Sequence, residues 1–231
     1  MQKYINANVI ILCGGKGQRL KPITESIPKP MVEIKSKPIL GHILEYLNKY
    51  KFNSINIATG YKSSLINKYI EERSNSFEEI SLFDTGDVDI LDRIKAILKQ
   101  KDGDFIVLYG DTLSDVDFEK LFSFHETKSR PATMTVWQLT SSFGIVEFDE
   151  NFHVKAFLEK PKLDKYMNIG YFYFNQSIVE VMNQCTLWEE FLNKMVESDL
   201  LSSNVHDGLH ITVNTLDELK YAEENIKSFK G

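Results

Sequence analysis

Apolar positions along the first half of the chain switch repeatedly between two periods. Asn8 to Cys13 reads as a buried strand, with Val9 to Cys13 a short continuous apolar run. Ile39, Ile43, Leu44 and Leu47 then share one face of a helix predicted over Ile39 to Tyr50. The alternation continues with a strand over Ser54 to Thr59, a helix over Ser63 to Arg73 and a strand over Ile80 to Phe83. Ile90, Leu91, Ile94, Ile97 and Leu98 stripe a helix over Ile90 to Lys99, and Phe105 to Tyr109 closes the series as a strand. Such alternation predicts βαβ units and a largely parallel sheet.

After Tyr109 the pattern changes. Asp117 to Lys128 reads as a helix with Asp117 as its N-cap. Ala132 to Leu139, Gly144 to Phe148 and His153 to Glu159 are strand-like, the last two flanking a hairpin turn at Asp149-Glu150-Asn151. A strand over Ile169 to Phe174, a helix over Leu187 to Ser198, a strand over His210 to Val213 and a helix over Thr215 to Lys227 follow. No repeat, low-complexity tract or linker interrupts this order, so residues 1–231 read as a single α/β domain with a small antiparallel insertion.

Composition narrows the setting without naming a function. Hydrophobic residues make up 42% and charged residues 26%, which is ordinary for a globular chain. The apolar runs are too short to cross a bilayer, and the polar segment Met1 to Asn8 does not resemble a signal peptide. Two cysteines, Cys13 and Cys185, make no disulfide framework, so a reduced cytoplasmic location is expected, with Cys13 as a small core residue. A net charge of −6 argues against nucleic-acid or anionic-membrane binding. Yet Lys16, Arg19, Lys21 and Lys29 crowd one glycine- and proline-rich segment in which Glu25 is the lone acid, as an anion site would require.

That segment follows the first strand directly, where open α/β sheets bind ligands. In Leu12-Cys13-Gly14-Gly15-Lys16-Gly17-Gln18-Arg19-Leu20, three glycines let backbone N–H groups approach a phosphate, and Lys16 and Arg19 add charge. It is not a P-loop, which needs a Gly-Lys-Ser/Thr ending. Nor is it the dinucleotide fingerprint, whose third glycine would fall at Leu20, and this disfavours a nicotinamide oxidoreductase. Further on, Pro28 and Pro30 flank Lys29 and are expected to hold its backbone extended, mounting the cation rigidly.

Gly14-Gly15-Lys16-Gly17-Gln18-Arg19-Leu20 followed by Pro28-Lys29-Pro30-Met31 resembles the signature of the sugar-1-phosphate nucleotidyltransferases, with Gln18 in place of the usual threonine. Gly60-Tyr61-Lys62, Asp84-Thr85-Gly86, Tyr109-Gly110-Asp111 and Ser114-Asp115-Val116-Asp117 are most similar to the glucose-1-phosphate cytidylyltransferases within it. The resemblance covers most of the chain and thins after about Phe174. It implies a Rossmann-like mixed, mostly parallel sheet flanked by helices. It also implies CMP transfer from CTP to a phosphorylated small molecule with release of pyrophosphate, in the supply of precursors for surface or capsular polysaccharide. By the same resemblance Leu12, Gly14, Gly15, Lys16, Gly17, Gln18, Thr85, Gly86 and Gly110 bind the nucleotide, while Arg19, Lys29 and Asp111 act on phosphates and metal.

A carboxylate at Asp111, closing a buried strand, suits Mg²⁺, which prefers oxygen ligands and keeps water and substrate phosphates. The resemblance implies a second metal ligand in Ile211-Thr212-Val213-Asn214-Thr215-Leu216-Asp217. There Asn214 stands where an aspartate is usual, with Asp217 or another acid as the alternative. Glu159-Lys160-Pro161 and Asn168 match the elements that hold the acceptor in such enzymes. A sugar 1-phosphate is the expected acceptor. A loop carrying Asp87, Asp89 and Asp92 where relatives have a glycine pair could instead meet a cationic group. A phosphorylated amino acid such as L-glutamine phosphate, giving CDP-glutamine, is therefore the alternative. A catalytically inactive nucleotide-binding regulator is a further reading, motivated by Asn214. The five histidines lack metal-site spacing, and homo-oligomerisation is an open expectation.

Overall fold

The computed structural model describes residues 3–73 and 80–229; Met1 and Gln2 of the polar N-terminal segment lie outside them. The elements run β1 (Asn8–Leu12), α1 (Ile23–Ser26), β2 (Glu33–Ile34), β3 (Lys37–Pro38), α2 (Ile39–Asn48), β4 (Ser54–Thr59), α3 (Ser63–Glu71), β5 (Ile80–Asp84) and α4 (Ile90–Leu98). Then come β6 (Phe105–Tyr109), β7 (Thr112–Ser114), α5 (Phe118–Glu126), β8 (Ala132–Thr140), β9 (Ile145–Phe148), β10 (Val154–Leu158) and β11 (Lys162–Phe174). The chain finishes with α6 (Val179–Asn183), α7 (Trp188–Glu197), β12 (Leu201–His206), β13 (His210–Thr212) and α8 (Leu216–Asn225).

Seven strands form the central sheet in the order β12-β8-β11-β6-β1-β4-β5. β1 is parallel to both β4 and β6, β4 is parallel to β5, and β8 is parallel to β12. Only β11 runs against its neighbours β6 and β8, so this is the mixed, mostly parallel sheet expected. From β1 the chain first builds outward through β4 and β5, then crosses to place β6 on the other side of β1. That reversal opens a crevice beyond the carboxyl ends of β1 and β6, where ligands settle in such sheets.

Alternation along the strands sends side chains into two cores. Val9, Ile11, Ile106 and Leu108 pack with α2, α3, α5 and α8, whereas Ile10, Phe105 and Val107 pack with α4, α6 and α7. Helices on both faces bury the sheet as a three-layer sandwich. Asp117 caps α5 as expected, accepting from the backbone N–H groups of Glu119 and Lys120. Among the described residues, no helix is long and apolar enough to cross a membrane.

Three differences from the sequence expectation have physical causes. Of the three strand-like runs after α5, only β9 and β10 make the small antiparallel insertion; β8 enters the main sheet beside β11. β12 was not expected at all, because Leu-Ser-Ser-Asn-Val-His is polar edge strand with no alternation to betray it. Lys29 is not extended: Pro28 is, at φ −71° and ψ 149°, but a 3₁₀ turn starts at Lys29, closed by Met31 N–H to Pro28 O at 2.8 Å.

Candidate active site

The loop after β1 reaches across the crevice. Cys13 N–H donates to Ala58 O at 2.8 Å and Gly110 N–H to Leu12 O at 3.0 Å, which ties the loop's start to the ends of β4 and β6. Gly17 then adopts φ +58°, a conformation that favours glycine, and starts the 3₁₀ turn Gln18–Leu20 that carries Arg19. Thr24 Oγ1 donates to Gly17 O at 2.9 Å and fixes this bend. A Cβ on Gly14 would lie on the guanidinium of Arg93, so a side chain there would have to displace that group from its hydrogen bonds.

The far wall is set by a small antiparallel ladder between β7 and β13, in which Thr112 pairs with Thr212. The ladder places Asp111, just before β7, beside Asn214, two residues beyond β13. Lys29 Nζ donates to Asp111 Oδ2 at 2.6 Å and to Asn214 Oδ1 at 2.8 Å. Arg19 Nη2 donates to the same Asn214 oxygen at 2.8 Å. Asn214 is itself held, its side-chain amide donating to Thr212 Oγ1 at 3.0 Å and its backbone N–H to Glu218. Lys29 is buried although charged, so its cation depends on these two oxygens. Two cations meet one carboxylate and one amide, which leaves an excess of positive charge for an anion to complete.

The floor is a residue that the motifs did not assign. Arg93, on α4, is buried and donates to Thr59 O at 3.1 Å, Thr85 Oγ1 at 2.7 Å and Gly14 O at 3.3 Å. Burial lowers its pKa, and Asp87, Asp84 and Asp89 pull it back up. Its position held a signal: Arg93 lies three residues after Ile90 and four before Ile97, on the face that α4 buries. The Cys13 thiol beside it is buried and its pKa is raised by desolvation, so it stays protonated at neutral pH, as a core residue should.

Together these elements enclose a cleft of about 580 Å³ lined by Leu12, Gly14, Gly15, Lys16, Gly17, Gln18, Arg19, Lys29, Asp111 and Asn214 from the expected set. Cys13, Pro30, Asp87, Val88, Asp89, Ile90, Arg93 and Tyr109 complete it. Thr85, Gly86 and Gly110 do not line the cleft; Thr85 Oγ1 donates to Thr59 O at 2.9 Å, and Gly110 packs on the Leu12 backbone. Asp217 is exposed on the first turn of α8 and does not line the cleft, so Asn214 is the residue that faces Asp111.

The acceptor elements stand apart. Glu159 and Lys160 are exposed beyond the end of β10, with Lys160 at φ +45°, and neither lines the cleft. Asn168 Oδ1 accepts from Gly170 N–H at 2.8 Å, and Asn168 does not line the cleft. The acidic loop is largely engaged. Asp87 pairs with Lys16 across the cleft mouth, which lowers the pKa of Asp87. Asp89 caps α4 and accepts from Trp188 N–H at 2.9 Å, while Asp92 is exposed on the first turn of α4.

Among the described residues, no group of three or more His, Cys, Asp or Glu could hold a metal by itself. Asp111 supplies one carboxylate and Asn214 one amide oxygen. That set fits Mg²⁺, which binds through one or two protein oxygens plus substrate phosphates, and does not make a self-sufficient cage.

Known proteins resemble the chain in sequence and in fold. The description Nucleotidyl transferase matches residues 8–214. The chain is 32% identical to glucose-1-phosphate cytidylyltransferase of Salmonella typhi, an alignment covering 93% of each chain. It is also 34% identical to the mannose-1-phosphate guanylyltransferase catalytic subunit beta of Drosophila melanogaster, over 74% of this chain and 49% of that one. Among solved structures, a putative glucose-1-phosphate thymidylyltransferase from Bacillus anthracis superposes with a TM-score of 0.76 over 94% of both chains at 17% identity, a likeness of fold.

Proposed function

The chain belongs to the nucleotidyl transferase family, and on that premise we propose that it transfers CMP from CTP to a sugar 1-phosphate with release of pyrophosphate. The observation that carries the reading is the convergence of Arg19, Lys29, Asp111 and Asn214 beneath a glycine loop at the crevice between β1 and β6. CTP is favoured over other triphosphates by the full-length similarity to a cytidylyltransferase, against the partial match to a guanylyltransferase. The reaction would take place in the cytoplasm, with residues 1–231 as one nucleotidyltransferase domain supplying an activated glycosyl group for surface or capsular polysaccharide.

The triphosphate lies along the backbone N–H groups of Gly14 to Gly17, with Lys16 and Arg19 neutralising its oxygens. Lys29 holds the phosphate that reacts. Mg²⁺, when bound through Asp111 and the Asn214 amide oxygen, supplies further charge neutralisation on the triphosphate. An oxygen of the acceptor phosphate attacks the α-phosphorus in line, and the bond to pyrophosphate breaks. The acceptor phosphate is already ionised, so the chain provides alignment and charge stabilisation instead of a nucleophile or base. Lys160, Glu159 and Asn168 are assigned to the acceptor, which they reach only if the ribbon that precedes them closes over the cleft or the acceptor extends toward them.

The alternative acceptor, a phosphorylated amino acid such as L-glutamine phosphate, drew on three loop carboxylates. Asp87 and Asp89 already have partners, which favours the sugar phosphate. Pyrophosphate release from each of four triphosphates against a panel of phosphorylated sugars and amino acids tests the proposal. Turnover with CTP and a sugar 1-phosphate is expected. Turnover only with another triphosphate or only with an amino-acid phosphate would replace the substrate pair, and nucleotide binding without any turnover would make the protein a regulator.

A further inference from the structure

The cleft has two lobes of opposite character. Lys29, Arg19, Asp111 and Asn214 make the polar one, which suits phosphates and a metal ion. Leu12, Val88, Ile90 and Tyr109 make the other, and none of these four carries a charge. Leu12 and Tyr109 are register partners at the ends of β1 and β6. Alternation turns both toward the core beneath α4 and α7, so their side chains lie next to each other at the bottom of the apolar lobe. Val88, 42% exposed, and Ile90 border it from the loop before α4 and from the first residue of that helix.

The Tyr109 ring is fixed from several directions. Gly170, at φ +77°, brings the β11 backbone so close that a Cβ there would lie 2.4 Å from the ring. Phe172 lies against it with ring centroids 6.1 Å apart. At the far end, Trp188 Nε1–H donates to the Tyr109 hydroxyl at 2.9 Å. An indole N–H can only donate, so the phenol oxygen is the acceptor and the bond tethers the ring. Trp188 is buried, its ring meeting Phe172 edge-on with centroids 5.3 Å apart. Its backbone N–H donates to Asp89 Oδ1 at 2.9 Å, and the same oxygen accepts from Leu91 N–H at 2.8 Å. One carboxylate thus joins the start of α7, which carries Trp188, to the start of α4, which borders the lobe.

Sheet order separates the two reactants. The glycine loop follows β1, and Thr85 and Gly86 follow β5 on one side of it; Tyr109 stands on the other side, on β6, with Asn168 and Gly170 of β11 beyond. A triphosphate laid on Gly14 to Gly17, with its reacting phosphate at Lys29 and Asp111, leaves Tyr109 to the acceptor. A sugar ring has C–H faces that pack on an aromatic surface and hydroxyls at its rim. An amino-acid phosphate would instead bring an ammonium and a carboxylate out of water against this apolar wall. Taking the transfer to a sugar 1-phosphate proposed above as the reaction, we infer that Tyr109 is the surface on which the acceptor's ring lies and a determinant of acceptor specificity. Trp188 is a positioning residue that acts through the Tyr109 hydroxyl.

Steady-state kinetics of the full chain test this, read by pyrophosphate release with CTP and whichever of glucose, mannose or galactose 1-phosphate the parent uses best. Tyr109→Leu should raise the acceptor KM at least ten-fold while the KM for CTP stays within two-fold. Tyr109→Phe and Trp188→Phe each break the tether and keep a ring, and each should raise the acceptor KM about three-fold. The double variant should do no more than either single change, because both remove the same bond. That cycle decides the matter even if Tyr109→Leu fails to fold. An acceptor KM unmoved in folded Tyr109→Leu, equal rises in both KM values, or additive effects in the cycle would overturn the inference and leave the proposed reaction standing. A parent that binds CTP by calorimetry but turns over none of the three sugars would overturn the acceptor and this inference together.

Discussion

Two halves of the carboxyl edge of the sheet are built to different standards. Around β1, β6 and β13, Lys29, Arg19, Asp111 and Asn214 already touch one another within 2.6–2.8 Å. Around β10 and β11, Glu159, Lys160 and Asn168 lie outside the cleft and do not converge on a common point. The first half is held by the parallel ladder of the core and by the short β7–β13 ladder. In the second, Glu159 and Lys160 follow a two-stranded ribbon whose apolar face is uncovered, while Asn168 sits in β11 of the central sheet. On the proposed reading, the nucleotide's phosphates, the constant part of the reaction, are met by a rigid cluster, and the acceptor is met in part by residues that follow the exposed ribbon.

The sharpest way to break this contrast is to remove one charge from the assembled half. Arg19→Ala and Asp111→Asn should each lower kcat/KM by about 10²–10³-fold, measured by pyrophosphate release, with thermal melts close to the parent. An enzyme that keeps full turnover after either change does not use that residue. On the dispersed half the loss should be smaller and of another kind. Lys160→Ala is expected to raise KM for the acceptor about ten-fold, a loss of roughly 1.4 kcal/mol, with little change in KM for the nucleotide. If the nucleotide KM moves instead, Lys160 belongs to the first half.

The Lys16–Asp87 pair spans the mouth between the glycine loop and the loop before α4. Both side chains are exposed, so the pair is weak, and a triphosphate must take Lys16 from Asp87. Asp87→Asn should therefore tighten nucleotide binding by about two- to five-fold by calorimetry, more at low salt, with kcat unchanged. Equal or weaker binding would show that the pair does not compete with the ligand.

The smallest effect concerns the ladder beneath the first half. Ser114 Oγ and His210 Nδ1 are 2.8 Å apart at the end of the β7–β13 ladder, where Trp137 lies against the His210 ring. Burial, and then the neighbouring His206, push His210 down to about 4; His206 in turn faces Asp115 at 3.1 Å. A histidine with a lowered folded-state pKa stabilises the fold above its unfolded pKa of about 6.5, and that contribution is lost as pH falls toward 4. The melting temperature should fall by a few degrees over that window, and His210→Gln should remove that part of the decline. An identical pH profile in the variant would contradict the assignment.

Much of this architecture is legible in the chain because its signals are local. The strand Ser54–Thr59 and the Asp117 cap declare themselves by apolar runs and a capping residue, and the glycine loop by its composition and its place after β1. What sequence reading did not supply depends on contacts distant along the chain. β12 is a polar strand made by pairing with β8, and the Asn214 oxygen is engaged by cations 185 and 195 residues away. Arg93 was visible as a cation on an apolar helix face, but its role as floor of the cleft needs Gly14 and Thr59 beside it. Lys29 shows a different limit: flanking prolines suggest extension, yet the hydrogen bonds of the 3₁₀ turn win.

A crystal structure of the protein grown with CTP and Mg²⁺ tests the central claim most directly. The account predicts phosphate oxygens against the backbone N–H groups of Gly14 to Gly17, Lys16 parted from Asp87, and Arg19 and Lys29 turned from Asn214 toward the ligand. A nucleotide bound elsewhere, with the Lys29–Asp111–Asn214 cluster undisturbed, would contradict it.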